Sequence, residues 1–229
     1  MRDKLNIVLV HGAFGDGSHW EHIIPGLCHA GHRAMAAQNP LTSLADDVAN
    51  TRKLVEWMGG PTLPVGHSYG GAVITGAGHA SNVAGLVYIA AFAPDEGESV
   101  SRLVGADPAP GLASIGPAYD DGFLWHDQDT FHDSFCQDLD HTESMVLATT
   151  QRPTARRCLD DLAGQPAWRT RPSWYQVSAQ DRMIAPESQR WMARRIDARE
   201  TIELDTGHAS PATRPAAVLQ LIINAAGAV

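Results

Sequence analysis

The sequence predicts an α/β fold with a mainly parallel sheet, helices on both faces and a small helical cap. Three observations lead there. Short apolar runs alternate with segments whose apolar residues recur at helical spacing. The runs break into glycine-rich turns, as buried parallel strands do before crossover helices. Between about residues 99 and 172 the chain departs from this alternation and becomes rich in Pro, Gly, Asp and His. With 229 residues, a single domain over 1–229 with a cap inserted at about 99–172 fits the size of one hydrophobic core.

The elements follow in order. Asn6 to Val10 reads as a buried strand feeding the glycine-rich loop His11–Ser18. Trp20, Ile23, Ile24 and Leu27 fall at helical spacing, Gly31 stops the helix, and Arg33 to Ala37 forms a short strand. Ser43 caps a helix over Leu44–Val55 that Gly59 and Gly60 end. A brief strand over Pro61–Val65 runs into Gly66 His67 Ser68 Tyr69 Gly70 Gly71, and Ala72–Ala77 opens a helix. Val83 to Phe92 is a further buried strand. After the cap come a strand over Ser173–Ser178, a helix over Pro186–Arg195, a strand over Glu200–Leu204 and a helix over Pro215–Ala226.

Composition narrows the function classes. Hydrophobic residues at 44% and charged residues at 19% suit a packed globular chain rather than a disordered one. A formal charge of −9 gives no electrostatic footprint for phosphate backbones or anionic lipid, so neither nucleic acid nor a membrane is expected as partner. The first apolar run is too short for a signal-peptide core, and three widely spaced cysteines suit reduced thiols, which together lead us to expect a cytoplasmic protein. No cysteine has metal-ligand spacing, and no metal or cofactor is expected. An exposed sheet edge or cap surface would be compatible with a homodimer.

Gly66–Gly70 matches the G-x-S-x-G nucleophile elbow, and its setting of strand, sharp turn and helix is the one that gives this pattern meaning. Ser68 is the candidate nucleophile. A serine hydroxyl needs a base to take its proton at neutral pH, and histidine has the suitable pKa. His208 lies just past a predicted strand near the C-terminus, while His29, His32, His126 and His141 read more simply as surface or cap residues. Asp181, after the preceding strand, is the candidate to orient His208; Asp95 and Asp205 are its rivals. The backbone N–H of Tyr69, with that of Ala13 or Phe14, is expected to form the oxyanion hole. His11 and His67 read as polar braces of their loops.

These residues, with Leu9–Ala13, Gly17, Ser18, Trp20, Asn39–Leu44, Ala91–Pro94 and Gln180–Ile184, resemble the small α/β-hydrolases related to plant methylesterases and hydroxynitrile lyases. The resemblance covers nearly the whole chain. It implies a carboxylesterase-like serine hydrolase acting through an acyl-enzyme on a small-molecule substrate, without metal or organic cofactor. Its alternatives are a small-molecule receptor on the same scaffold and a lyase using the same triad. Cyanohydrin-cleaving relatives carry threonine and lysine where this chain has Gly12 and Ala209, which argues against the lyase. Trp125, Phe131, Phe135 and Trp168 are the expected lining of an apolar pocket for a hydrophobic or aromatic ester.

Overall fold

The computed structural model describes residues 5–118 and 122–229. The N-terminal reading of Met1–Lys4, and residues 119–121 of the expected cap, lie outside the described residues.

Six parallel strands form the main sheet: β1 (Asn6–Val10), β2 (Arg33–Ala36), β3 (Thr62–His67), β4 (Leu86–Ile89), and, further along the chain, β8 (Ser173–Ser178) and β9 (Glu200–Leu204). Their order across the sheet is β2-β1-β3-β4-β8-β9. Successive residues of a strand point to opposite faces, and β1 shows the consequence. Val8 and Val10 enter one core, with α2 (Leu44–Met58), α3 (Tyr69–Ala77) and α8 (Pro186–Arg195), while Ile7 and Leu9 enter the other, with α1 (Ile24–His29) and α10 (Pro215–Gly227). Both faces are therefore covered, which is why the central strands are apolar throughout rather than alternating.

The expected strand over Val83–Phe92 is shorter than its apolar run. Ladder pairing is confined to Leu86–Ile89: ahead of it Val83 makes only an isolated bridge to Thr62, and after it Ala90, at a left-handed φ of 41°, ends the strand. Conversely β3 and α2 each extend past their expected ends, to His67 and Met58. Ser43 caps α2 as expected, its hydroxyl accepting from the Asp46 N–H at 3.0 Å.

Between β4 and β8 the chain leaves the sheet. The inserted segment carries short helices, α4 (Val100–Ala106), α5 (Phe131–Phe135), α6 (His141–Thr150) and α7 (Arg156–Asp160). It also carries a three-stranded antiparallel sheet that the composition did not announce, made of β5 (Ile115–Pro117), β6 (Phe123–His126) and β7 (Thr154–Ala155). A four-residue helix, α9 (Ser210–Thr213), follows β9. Among the described residues no helix is long and apolar enough to cross a membrane.

Candidate active site

Strand β3 ends at His67, and α3 begins at Tyr69, leaving Ser68 alone between them with φ 54° and ψ −124°. This is a costly conformation for a residue with a Cβ, held by the close crossing of its neighbours. A Cβ on Gly66 would lie 2.5 Å from the Gly70 carbonyl oxygen, and one on Gly70 would lie 2.3 Å from that of Val10. Only glycine lets strand, turn and helix approach so closely. The Ser68 carbonyl accepts from the N–H groups of Gly71 and Phe92, at 3.0 and 3.1 Å, which fixes the turn from two sides.

Asp181 and His208 come from the loops after β8 and β9. The Nδ1–H of His208 donates to Asp181 Oδ2 at 2.7 Å, and both side chains are almost wholly out of water. That bond leaves Nε2 of His208 as the lone-pair nitrogen, the form that can accept a proton. Asp181 is itself held. Its Oδ1 accepts from the N–H groups of Met183 and Ile184, at 2.7 and 2.9 Å, and its Oδ2 also accepts from Gln189 Nε2 at 2.7 Å. Gln189 was not foreseen. It is fully buried on α8, and its Oε1 accepts from the Ser178 N–H at 2.9 Å, so it links strand β8 to the carboxylate.

The rivals are engaged elsewhere: Asp95 pairs with Arg169, and Asp205 accepts from Gln180 on the surface. His67, next to Ser68, donates through Nε2 to the His208 carbonyl oxygen at 2.9 Å, and its ring centroid lies 4.7 Å from that of His208. His67 thus joins the end of β3 to the loop that carries His208. Burial holds its pKa well below the ordinary histidine value. His11 is likewise a brace: Nδ1–H donates to the Gly12 carbonyl oxygen and Nε2 accepts from the Asn39 N–H. Burial lowers its pKa to about 4.

The loop after β1 runs against the serine, since a Cβ on Gly12 would stand 2.8 Å from Ser68 Cβ and 3.3 Å from its Oγ. The structure separates the two donors expected from this loop. The Phe14 N–H is already committed to Thr154 Oγ1 at 2.9 Å, a bond in which Ala13 takes no part. Tyr69 is the first residue of α3, so its N–H has no acceptor within the helix. Its side chain is anchored at the far end, where the hydroxyl donates to the fully buried Asp47 at 2.7 Å.

The four aromatic residues of the expected pocket divide. Phe131 and Phe135, one turn apart on α5, stack with centroids 4.9 Å apart, and Phe135 meets His208 edge-on at 4.9 Å. His126 joins them, fully buried and 5.1 Å from Phe131, with Phe14 at 6.2 Å beyond. Trp125 does not. Side chains alternate along β6, so its neighbour His126 faces this cluster while Trp125 faces the other side of the small sheet, beside Ser114 and Pro117. Trp168 is also elsewhere, its Nε1–H donating to the Pro94 carbonyl oxygen and its ring lying under Arg169 and Arg195.

With this geometry in hand, the chain matches the alpha/beta hydrolase family over residues 7–221. A carbendazim hydrolyzing esterase from a Nocardioides species (strain SG-4G) is 33% identical over 115 residues, which cover 43% of this chain and 47% of that protein. The chain thus aligns with about half the length of that curated relative. Among solved structures, a pyrethroid hydrolase from Sphingobium faniae JZ-2 superposes with a TM-score of 0.84 at 19% identity, covering 99% of this chain and 98% of that one. A methylesterase from Arabidopsis does so with a TM-score of 0.83 at 16% identity, covering 98% and 100%. At such identities the two structures speak for the fold alone.

Proposed function

Because the chain belongs to the alpha/beta hydrolase family, we propose that it is a serine esterase whose nucleophile, base and orienting acid are Ser68, His208 and Asp181. The observation that carries this reading is the buried Asp181–His208 hydrogen bond, which leaves Nε2 of His208 as the lone-pair nitrogen in a loop that His67, the neighbour of the strained Ser68, ties to the end of β3. Ser68 Oγ attacks the ester carbonyl carbon while its proton passes to His208 Nε2. The negative charge that develops on the carbonyl oxygen is received by the N–H groups of Tyr69 and Ala13, helped by the positive end of α3. Collapse expels the alcohol, which takes the proton back from His208. Water then adds to the acyl-enzyme by the same route, and the carboxylic acid and free Ser68 are released.

Asp181 keeps the imidazole in the required tautomer and stabilises its positive charge during transfer. The apolar wall of Phe131 and Phe135 beside His208 favours a small hydrophobic or aromatic ester. The name of the curated relative, a carbendazim hydrolyzing esterase, agrees with an esterase reading.

The test is hydrolysis of p-nitrophenyl, aryl and methyl esters of increasing acyl length by wild type and Ser68→Ala at equal folded concentration. Ser68→Ala should lose on the order of 10⁴ to 10⁶ in kcat. A wild type inactive on every ester, or a variant as active as wild type, would overturn the reading.

A further inference from the structure

The loop that supplies Ala13 is held by the insertion. Phe14 sits at φ 64°, in the left-handed region that a bulky side chain adopts only under constraint. Two bonds from the segment at β7 impose it. The Phe14 N–H donates to Thr154 Oγ1 at 2.9 Å, and the Phe14 carbonyl oxygen accepts from the Arg152 N–H at 2.8 Å. Thr154 is completely buried, and its own strand is tied down on the core by the Ala155 N–H, which donates to the Leu41 carbonyl oxygen at 2.9 Å.

We propose that Thr154 is a positioning residue of the oxyanion hole: by occupying the Phe14 N–H it locks the loop so that the Ala13 N–H faces the carbonyl held at Ser68. The inference rests on the esterase reading above and extends it. A peptide plane is rigid, so the only freedom between the two N–H groups lies in the φ and ψ of Ala13. Without the hydroxyl, only the Arg152 bond to the Phe14 carbonyl oxygen remains, the peptide on the N-terminal side of Phe14 is untethered, and Phe14 relaxes towards negative φ. That rotation turns the preceding peptide and carries the Ala13 N–H off its line. An electrostatic donor of this kind acts only when aimed in advance, and misplacement by about 1 Å costs on the order of 10²-fold. The arrangement also makes the hole dependent on the insertion: with β7 displaced from the core, the second donor is unset.

The experiment compares wild type with Thr154→Val, Thr154→Ala and Thr154→Ser. It measures folding by circular dichroism, labelling of Ser68 by a fluorophosphonate, kcat and KM on the best p-nitrophenyl ester, and inhibition by an aryl trifluoromethyl ketone, whose serine adduct carries the oxyanion. The Val and Ala variants should fold and lose about 10- to 100-fold in kcat with KM within about threefold of wild type. Their inhibition constants for the ketone should rise in parallel. Thr154→Ser, which keeps the hydroxyl, should stay within about threefold of wild type on every count.

A folded Val or Ala variant with unchanged kcat overturns the proposal. So does a loss of kcat that leaves ketone binding intact or that serine fails to rescue. Failure of both hydroxyl-free variants to fold also counts against it, because the hydroxyl would then serve the fold as a whole. A wild type that neither labels at Ser68 nor cleaves any ester removes the esterase reading and this proposal with it, whereas an active, labelled wild type matched by Thr154→Val removes the proposal alone.

Discussion

Acidification from about pH 7.5 to about pH 4.5 should destabilise the fold through His11, by an amount the structure allows to be worked out. The ring is fully buried, its Nδ1–H bound to the Gly12 carbonyl oxygen and its Nε2 used as acceptor for Asn39. A second proton has no place on that ring without breaking the Asn39 bond and charging a desolvated group, so the pKa falls from 6.5 to about 4. Between these values the unfolded chain binds a proton that the folded chain refuses. The stability His11 contributes is therefore fully present above pH 6.5 and lost as pH falls towards about 4, at about 1.4 kcal/mol per pH unit and about 3 kcal/mol in all.

Urea unfolding across the window measures this, and His11→Asn isolates it. Asparagine can still donate to the Gly12 oxygen but cannot titrate. It also deprives the Asn39 N–H of its acceptor, which costs about 1–3 kcal/mol at every pH and so shifts the curve without tilting it. The other buried imidazoles, His19, His67 and His126, are present in both proteins, so the slope they contribute is common to the two curves apart from their coupling to His11. The difference in slope between wild type and variant should approach one proton, with wild type the steeper. Parallel curves, or a wild type that gains stability on acidification relative to His11→Asn, would show that His11 is charged in the folded state and refute the argument.

Gln189→Leu should orphan the buried Ser178 N–H and take one donor from Asp181. It should lower stability by about 2–4 kcal/mol in urea and reduce kcat about tenfold with little change in KM; a variant unchanged in both would contradict the role given to that amide. Asp47 behaves in the opposite sense to a paired surface carboxylate. Burial raises its pKa, so its ionisation opposes folding and the stability it contributes is lost as pH rises. Asp47→Asn should therefore be neutral or stabilising at pH 7 by up to about 1 kcal/mol. Tyr69→Phe, which strips a donor from the carboxylate, should cost about 1–3 kcal/mol. Thermal unfolding of the two variants checks both signs, and an Asp47→Asn variant weaker than Tyr69→Phe would reverse the account.

How far the sequence could reach depended on whether a feature was local. Ser68 and its flanking glycines lie in one six-residue stretch whose steric demands are written in residue type, and Phe131 and Phe135 sit one helical turn apart, so their stacking follows from periodicity alone. Trp125 and Trp168 failed as pocket residues for a different reason. Which face a residue takes in a strand as short as Phe123–His126 is set by pairing with β5 and β7, and those partners lie in turn-rich sequence that gives no register. Once β6 is known, alternation transfers the inward position from Trp125 to His126, the residue that reads as an ordinary polar member of the cap.

Gln189 and Thr154 were invisible on stronger grounds. Each is a polar residue in an unremarkable setting that satisfies a backbone N–H of another element, Ser178 on β8 in one case and Phe14, 140 residues away, in the other. The demand they meet arises only when the chain has folded, because a backbone donor becomes costly only after water has been excluded from it. Residues that perform chemistry must be of a particular type and can be sought by type. Residues that aim the chemistry need only place one acceptor within about 3 Å of one donor, a requirement that many side chains can meet and that only packing identifies.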